Sequence, residues 1–268
     1  MDYKEVMDEL EGMASHDPKD LAGMARYGIN VEHAWVVSVP KLRNLAKEIK
    51  LSYRHSELDS EYIKNKEMDP RVPTAHQLGR AGKHEDDKSE DRHELALKLW
   101  DTEVHEARIL AGFIDDPVKV TEEQLERWVL GFDSWDVCDL VCSELFDKTE
   151  FAYQKAEEWS TRPEEFVKRA GFVVMCALAV HDKKASDESF EKFLKICERE
   201  STDERNFVKK AVNWTIRNIG KCRNIELHQK ALKTAYRIRE KGDKTSRWIA
   251  NDAIRELESE KIKKRFAV

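Results

Sequence analysis

The sequence predicts an all-α protein, and three observations support this. Apolar residues recur at three- and four-residue spacing through most of the 268 residues, the pattern of helices with one buried face. Only ten Gly and six Pro interrupt the chain, too few for the frequent turns of a many-stranded sandwich. A hydrophobic fraction of 40%, with seven Trp and ten Phe, supplies a sizeable core, while 37% charged residues suit exposed helix faces.

The helical period is clear in thirteen segments of the chain. They cover residues 2–14, 17–27, 39–51, 93–101, 103–114, 122–132, 134–147, 151–159, 163–181, 187–199, 204–220, 225–241 and 244–258. Between Arg54 and Asp91 the pattern weakens, and this stretch contains two X-Pro dipeptides and an acidic run at 85–91. We therefore expect a single domain over residues 1–268 with a partly flexible insertion near 54–91.

A sequence repeat marks the C-terminal half. The hexapeptide Glu-Phe-Val-Lys-Arg-Ala at 165–170 recurs 41 residues later as Asn-Phe-Val-Lys-Lys-Ala at 206–211, with a weaker echo at 246–250. Helix pairs that repeat at roughly 40 residues are typical of HEAT-like solenoids, in which each pair buries its face on its neighbours. The repeat predicts a HEAT-like α-solenoid of about six helical repeats with a concave surface. By itself it favours a scaffold as much as an enzyme.

Several classes of protein are disfavoured by the sequence. The five Cys include no Cys-x-x-Cys pair, and neither His-Glu dipeptide extends to His-Glu-x-x-His, so we expect no disulfide framework and no metal. The longest apolar run, Phe172–Val180, is far shorter than the roughly 20 residues that span a bilayer. The N-terminus is acidic and amphipathic, unlike a signal peptide. We expect a soluble intracellular protein without a cofactor.

The charge is unevenly distributed along the chain. Its formal net charge is −6, yet residues 207–247 contain twelve Lys and Arg against three acids, which leaves −15 for the remainder. A basic segment in an acidic protein is typical of a single anion-binding surface. A set of solvated, Lys-rich helix faces would give the same count, so both interpretations stay open.

An indole lies among cations on the helix predicted at 204–220. Trp214 projects away from the centre of the apolar stripe, beside Lys210, Arg217 and Lys221. An indole among three cations is unusual on a helix surface, which makes Trp214 a candidate functional residue. The alternative is a Trp that packs against the next repeat with cations stacked on its rim.

A second Trp lies near a carboxylate in the helix predicted at 134–147. Ser134 is a candidate N-cap, and Val137, Val141 and Leu145 form the apolar stripe. Trp135 and Asp139 then project together from the opposite side, four residues apart. A partly desolvated carboxylate of this kind can stabilise a developing cation or orient a water molecule. A surface Asp in a local salt bridge is the alternative.

Arg169 begins an almost wholly apolar helix, so its guanidinium needs a partner. The partner is either a structural carboxylate or a phosphate held by two parallel hydrogen bonds. The sequence pattern alone leaves both possibilities open.

These residues together resemble the AlkD family of DNA alkylation-repair glycosylases. The resemblance covers most of the chain. It rests on Tyr27-Gly28-Ile29, Val39-Pro40-Lys41-Leu42-Arg43, the segments 93–100 and 106–111, Trp135-Asp136-Val137-Cys138-Asp139, Val167-Lys168-Arg169-Ala170 and Lys210-Ala211-Val212-Asn213-Trp214. It implies a HEAT-like solenoid that holds duplex DNA in a basic concave groove. It also implies removal of N3- and N7-alkylated purines without flipping the base into a pocket.

The resemblance assigns roles to four residues. Asp139 would be the catalytic carboxylate, and Trp135 and Trp214 would lie against the deoxyribose and backbone of the lesion nucleotide. Arg169 would contact the DNA backbone near the lesion. Lys210, Arg217 and Lys221 are the predicted DNA-binding cations, and no residue is a candidate metal ligand.

The leading hypothesis is a monofunctional glycosylase for cationic alkylpurines that acts in base-excision repair as an intracellular, DNA-associated monomer. The first alternative is a non-catalytic HEAT-repeat protein that binds bent or branched DNA. The second is a scaffold whose basic groove accepts an acidic protein partner. Asp139 together with Trp135 and Trp214 favours the enzyme, because a binding protein would need only the cations.

Overall fold

The computed structural model describes the backbone of residues 1–67 and 91–266, and the side chains of residues 1–54 and 91–266. Within these ranges the chain is helical and has no β-strand, so the all-α prediction is confirmed. A 3₁₀ turn, Phe146–Lys148, follows the seventh helix. The helices are α1 Tyr3–Gly12, α2 Pro18–Arg26, α3 Val39–Glu67, α4 Arg92–Asp101, α5 His105–Ile114, α6 Glu122–Leu130, α7 Trp135–Glu144, α8 Ala152–Trp159, α9 Glu165–His181, α10 Asp187–Arg199, α11 Asn206–Cys222, α12 Ile225–Glu240, α13 Lys244–Leu257 and α14 Glu260–Phe266.

The helix α3 is longer than the sequence predicts. The apolar period ends near residue 51, but the helical backbone continues to Glu67. The segment contains several Glu and Lys, which favour helix without an apolar stripe, so periodicity could not detect it. Residues 54–67 of the predicted insertion are therefore helical, and residues 68–90 lie outside the described part of the chain.

The chain forms two compact units. The first comprises Met1–Met24 and Val31–Asp116, and the second comprises Ala25–Asn30 and Pro117–Val268. In the first unit, buried Glu106 on α5 accepts hydrogen bonds from the backbone N–H groups of Trp35 (2.8 Å) and Val37 (3.1 Å). These bonds hold the loop before α3 where Val36 has a φ of 58°, a left-handed conformation that is strained for a β-branched residue.

In the second unit, α7, α9, α11 and α13 pack side by side in one parallel row, hereafter the site row. Hydrogen bonds join successive helices of the row. Thr215 Oγ1 donates to the Phe172 carbonyl (2.8 Å), and Asn213 Nδ2 donates to the Ile249 carbonyl (2.9 Å). The row is packed against α8, α10 and α12, so each repeat contributes one helix to the row and one behind it. Because these four helices are parallel, their N-terminal halves lie side by side along one edge of the row.

The C-terminal helix α14 was not predicted. The last predicted helix ends at residue 258, whereas the chain turns at Ser259 and forms α14, Glu260–Phe266. Its core contact is Ile262, which is buried, and the Phe266 ring lies 4.9 Å from that of His228. A single buried apolar residue gives too little periodicity to identify a short helix.

Among the described helices, none is long and apolar enough to cross a membrane.

Candidate functional site

A pocket of about 250 Å³ lies in the second unit. The segment 25–30 and the N-terminal turns of α7, α9 and α11 provide its walls. Four predicted site residues contribute to it, together with two residues that the sequence did not single out as site residues. The lining residues are Tyr27, Trp135, Asp139, Arg169, Phe207 and Lys210, and we call this cavity the site pocket.

The start of α7 places Trp135 and Asp139 at the pocket. Val137, Val141 and Leu145 are fully buried, as predicted, so this side of the helix faces the core. Trp135 and Asp139 lie on the opposite side. The indole Nε1–H of Trp135 donates a hydrogen bond to the Tyr27 carbonyl (3.1 Å). This bond fixes the ring orientation at the rim of the pocket.

Ser134 precedes α7 as its N-cap residue, but its hydroxyl makes no capping hydrogen bond. Its Oγ instead accepts from the backbone N–H of Asn30 (2.9 Å), and Asn30 Nδ2 donates to Asp133 Oδ2 (2.7 Å). The residues before α7 therefore anchor the segment 25–30, which carries Tyr27 to the pocket.

Gly28 allows the segment 25–30 to approach α11. It has a φ of +76°, which L side chains rarely adopt, and a Cβ there would lie 3.0 Å from the Phe207 ring. Its neighbour Tyr27 is 65% exposed, and the Arg26 guanidinium lies 5.5 Å from the Tyr27 ring. A larger residue at position 28 would push Tyr27 away from the pocket.

Asp139 and Arg169 form a buried ion pair between α7 and α9. Arg169 Nε donates to Asp139 Oδ1 (2.8 Å) and Nη2 donates to Oδ2 (2.7 Å). The third nitrogen, Nη1, donates to the Phe207 carbonyl (2.6 Å). The side chain of Asp139 is 14% exposed and that of Arg169 is 6% exposed. Of the two partners left open by the sequence, the structure provides the carboxylate, and it is the one predicted to be catalytic.

Two opposing effects act on the Asp139 carboxyl. Burial raises its pKa above the ordinary value, whereas the charge and hydrogen bonds of Arg169 lower it, and the nearby Asp136 adds to the rise. Burial also disfavours charge on Arg169, but Asp139 more than offsets this and raises the Arg169 pKa. The bidentate geometry is that of a carboxylate with a guanidinium, so Arg169 favours the ionised form of Asp139.

The other predicted residues of α11 are arranged differently. Lys210 is exposed and lines the pocket, whereas Trp214 is half-buried and is not part of the lining. Arg217 pairs with Glu256 and with Asp252 (3.3 Å), and Lys221 pairs with Glu256 (2.9 Å). Both acids lie on α13, just beyond the basic segment 207–247. Part of the positive charge predicted for DNA is therefore compensated within the protein.

Phe207 is a pocket residue that sequence reasoning missed. The sequence repeat could have identified it, because Phe207 is the counterpart of Phe166 at the 41-residue spacing. The two rings lie 5.3 Å apart, and the Arg169 guanidinium lies 6.0 Å from the Phe207 ring. Tyr27 was noted only as part of the family resemblance. It is the last residue of the predicted helical segment 17–27, but α2 ends one residue earlier, at Arg26.

We searched the described ranges for groups of three His, Cys, Asp or Glu side chains that could hold a metal ion, and these ranges contain none. Burial raises the pKa of the thiols of Cys142, Cys176 and Cys197, which keeps them protonated and makes them poor ligands. The chemistry available at the site pocket is that of one carboxylate, two cations and three aromatic rings.

Comparison with known proteins identifies both family and fold. A family model described as DNA alkylation repair enzyme matches residues 69–257. A solved structure reported as "A new family of proteins related to the HEAT-like repeat DNA glycosylases with affinity for branched DNA structures" is similar, with a TM-score of 0.66. The two chains are 21% identical, over 88% of this chain and 83% of that one. This likeness confirms the HEAT-like fold. No curated protein matches the chain.

Proposed function

Because this chain belongs to the DNA alkylation repair enzyme family, we propose that it is a DNA glycosylase. It hydrolyses the N-glycosidic bond of cationic N3- and N7-alkylpurines in duplex DNA, as a monomer in base-excision repair. The observation that carries the proposal is the position of Asp139, which lines the site pocket beside Trp135 and is held there by Arg169. A protein that only binds DNA would not need an oriented, partly desolvated carboxylate.

The reaction follows from the charge of the substrate. An alkylpurine cation leaves with the electron pair of the C1′–N bond, which neutralises the base. Positive charge then builds on the sugar, as in other glycosyl transfers. Water forms the new bond to C1′ and loses a proton to Asp139 or to solvent. A carboxylate facing C1′ stabilises the transition state, and neither a metal nor a general acid for the base is required.

Arg169 acts through Asp139 in this mechanism. In the free protein its bidentate contact holds the carboxylate in one orientation and favours its ionised form. The guanidinium has five N–H groups, of which three bond to Asp139 and to the Phe207 carbonyl. A DNA phosphate at the pocket would bind the remaining N–H groups while the contact with Asp139 is kept.

The aromatic residues would surround the deoxyribose. Trp135, Tyr27 and Phe207 line the pocket, and their electron-rich faces favour a sugar that becomes positive. Trp214 would lie against the backbone of the same nucleotide.

A second candidate function is binding of branched DNA without chemistry. The solved relative with that affinity shares the fold of this chain at 21% identity. The position of Asp139 favours the enzyme in this chain, since an acid at the DNA surface weakens phosphate binding and would bring a binding protein no benefit. The protein-binding scaffold stays a weaker alternative because it explains neither Asp139 nor Trp135.

The test is release of free 7-methylguanine from a methylated duplex, with a uracil-containing duplex as the control. The proposal predicts release of the cationic base and no release of uracil, which is uncharged and leaves poorly. If neither base is released and a three-way junction binds more tightly than the duplex, the protein is a branched-DNA binder. If neither DNA binds, the scaffold interpretation takes its place.

A further inference from the structure

One large aromatic side chain of the site row is exposed to solvent, and it lies in the N-terminal half of α13. Trp248 on α13 is 41% exposed and is the most exposed of the seven Trp. Ser246, two residues before it, and Ile249, the residue after it, are fully buried. The indole therefore projects from the buried face rather than packing into it. An exposed indole beside cations is typical of nucleic-acid contact surfaces.

One cation contacts this indole, and two more lie close to it in sequence. The Nζ atom of Lys209 lies 5.5 Å from the centroid of the Trp248 ring. Exposed Lys244 lies four residues before Trp248, on the same face of α13, and exposed Arg247 directly precedes Trp248 in sequence. Asp243, the acid nearest to Lys244 and Arg247 in sequence, accepts hydrogen bonds from Ser246.

These cations differ from their neighbours in the same row. Arg217 and Lys221 are neutralised by Asp252 and Glu256. In the part of the chain that the structure describes, neither Lys209, Lys244 nor Arg247 forms an ion pair with an acid. A local excess of positive charge beside an uncovered aromatic ring is complementary to a nucleic-acid strand.

The indole and its cations are continuous with the site pocket. Lys209 is adjacent in sequence to Lys210, which lines the pocket, and α11 packs directly against α13. Packed helix axes lie about 8–10 Å apart. At ~3.4 Å of rise per base pair, one helix along the row corresponds to about two or three base pairs along DNA.

We propose that Trp248, Lys209, Lys244 and Arg247 form a second DNA-backbone subsite, two or three nucleotides from the lesion. The inference rests on the proposed function, because it takes DNA as the partner. The cations bind phosphates of one strand, and the open part of the indole packs against a deoxyribose. The subsite binds damaged and undamaged duplex alike, since it contacts no base edge.

The experiment measures equilibrium binding of an undamaged duplex by fluorescence anisotropy at several salt concentrations. It compares wild type with Arg247→Ala, Trp248→Ala and Lys233→Ala. Lys233 is the matched control, an exposed lysine on α12, which is outside the site row. Arg247→Ala should reduce the salt slope by about one phosphate contact. Trp248→Ala should weaken binding about fivefold or more with little change in slope. Lys233→Ala should leave both unchanged.

Duplex length locates the subsite. When the duplex is shortened from one side of a fixed lesion, the effect of Trp248→Ala should disappear, and shortening from the other side should preserve it. Melting temperatures of Arg247→Ala and Lys233→Ala should match wild type, since these side chains are exposed. Trp248 is 41% exposed, and a melting curve verifies that Trp248→Ala is folded.

The possible outcomes separate this inference from the function. If wild type binds duplex and both variants behave as Lys233→Ala does, the subsite is wrong while the glycosylase is unaffected. If wild type binds duplex but releases no base, the chemistry is wrong, and the variants still decide the subsite. Absence of duplex binding by wild type overturns both.

Discussion

Arg169 links Asp139 to the backbone carbonyl of Phe207, so that one guanidinium joins α7, α9 and α11 at the site pocket. All three of its nitrogens donate hydrogen bonds, and the carboxylate of Asp139 accepts on both oxygens. A buried charge pair in which all three guanidinium nitrogens and both carboxylate oxygens are hydrogen-bonded holds its partners in one geometry. The arrangement pre-orients the carboxylate before DNA binds, which is what stabilisation of a developing cation requires.

The pH dependence of excision tests this pairing. Asp139 must be ionised to stabilise the sugar cation, so activity should rise with pH through its pKa. Burial raises that pKa and Arg169 lowers it. Arg169→Ala removes the lowering effect, so the acid limb of a single-turnover profile should move to higher pH, with weaker DNA binding. Arg169→Lys should lie between the two. An acid limb at the same pH in all three proteins would contradict the role of Arg169.

The uneven pairing of cations on α11 predicts different effects on DNA binding. Lys210 is exposed and lines the pocket, so Lys210→Ala should lower the salt slope by roughly one contact. Arg217 is held by Asp252 and Glu256, so Arg217→Ala should change the slope less. Binding titrations between about 50 and 200 mM salt measure both. Equal losses would show that Arg217 leaves its acids when DNA binds.

The hydrogen bond made by the indole N–H of Trp135 can be tested separately from the aromatic face of its ring. Trp135→Phe retains an aromatic face but loses the hydrogen bond to the Tyr27 carbonyl, a contact that contributes about 0.5–1.5 kcal/mol. Excision should fall severalfold, and Trp135→Ala should reduce it much further. Single-turnover rates at saturating protein measure the difference. If Phe and Ala lower the rate equally, the aromatic face does not contribute.

Close packing of α8 on α9 predicts a stability effect at Gly171. A Cβ there would lie 2.6 Å from the Ser160 backbone nitrogen and 2.8 Å from the Ala156 carbonyl oxygen. Backbone atoms cannot rotate away, so Gly171→Ala should destabilise by about 1–3 kcal/mol.

Gly23→Ala is the matched control for this substitution. Gly23 lies within α2 and has no atom within 4 Å of its Cβ position. The change should stabilise by about 0.5–1 kcal/mol, because Ala favours helix. Urea denaturation of both variants gives the comparison, and a stable Gly171→Ala protein would contradict the packing.

The fold was largely predictable because its information is local. Apolar spacing located helices α4 to α13 within a few residues, and the 41-residue repeat indicated the stacking of α9 on α11. Within α7, spacing alone placed Trp135 and Asp139 on the side away from Val137 and Val141. The continuation of α3 to Glu67 and the short helix α14 were not predicted, because neither carries an extended apolar stripe.

The pairing of charges was not predictable because it depends on which helices are neighbours. The sequence shows that Arg169 needs a partner, but only the packing of α7 against α9 identifies Asp139. Glu256 lies outside the basic segment in sequence and yet neutralises Arg217 and Lys221 across the row. The hydroxyl of Ser134 likewise accepts a hydrogen bond from Asn30 in the segment 25–30 rather than capping α7.

The most direct test of the central claim compares wild type with Asp139→Asn in release of 7-methylguanine under single-turnover conditions. Asn is nearly isosteric and retains one acceptor for Arg169, and a melting curve verifies that the variant is folded. We expect release to fall by ~10²-fold or more while duplex affinity is retained or slightly raised. Release at close to the wild-type rate from the folded variant would contradict the account, because the chemistry would then not depend on this carboxylate.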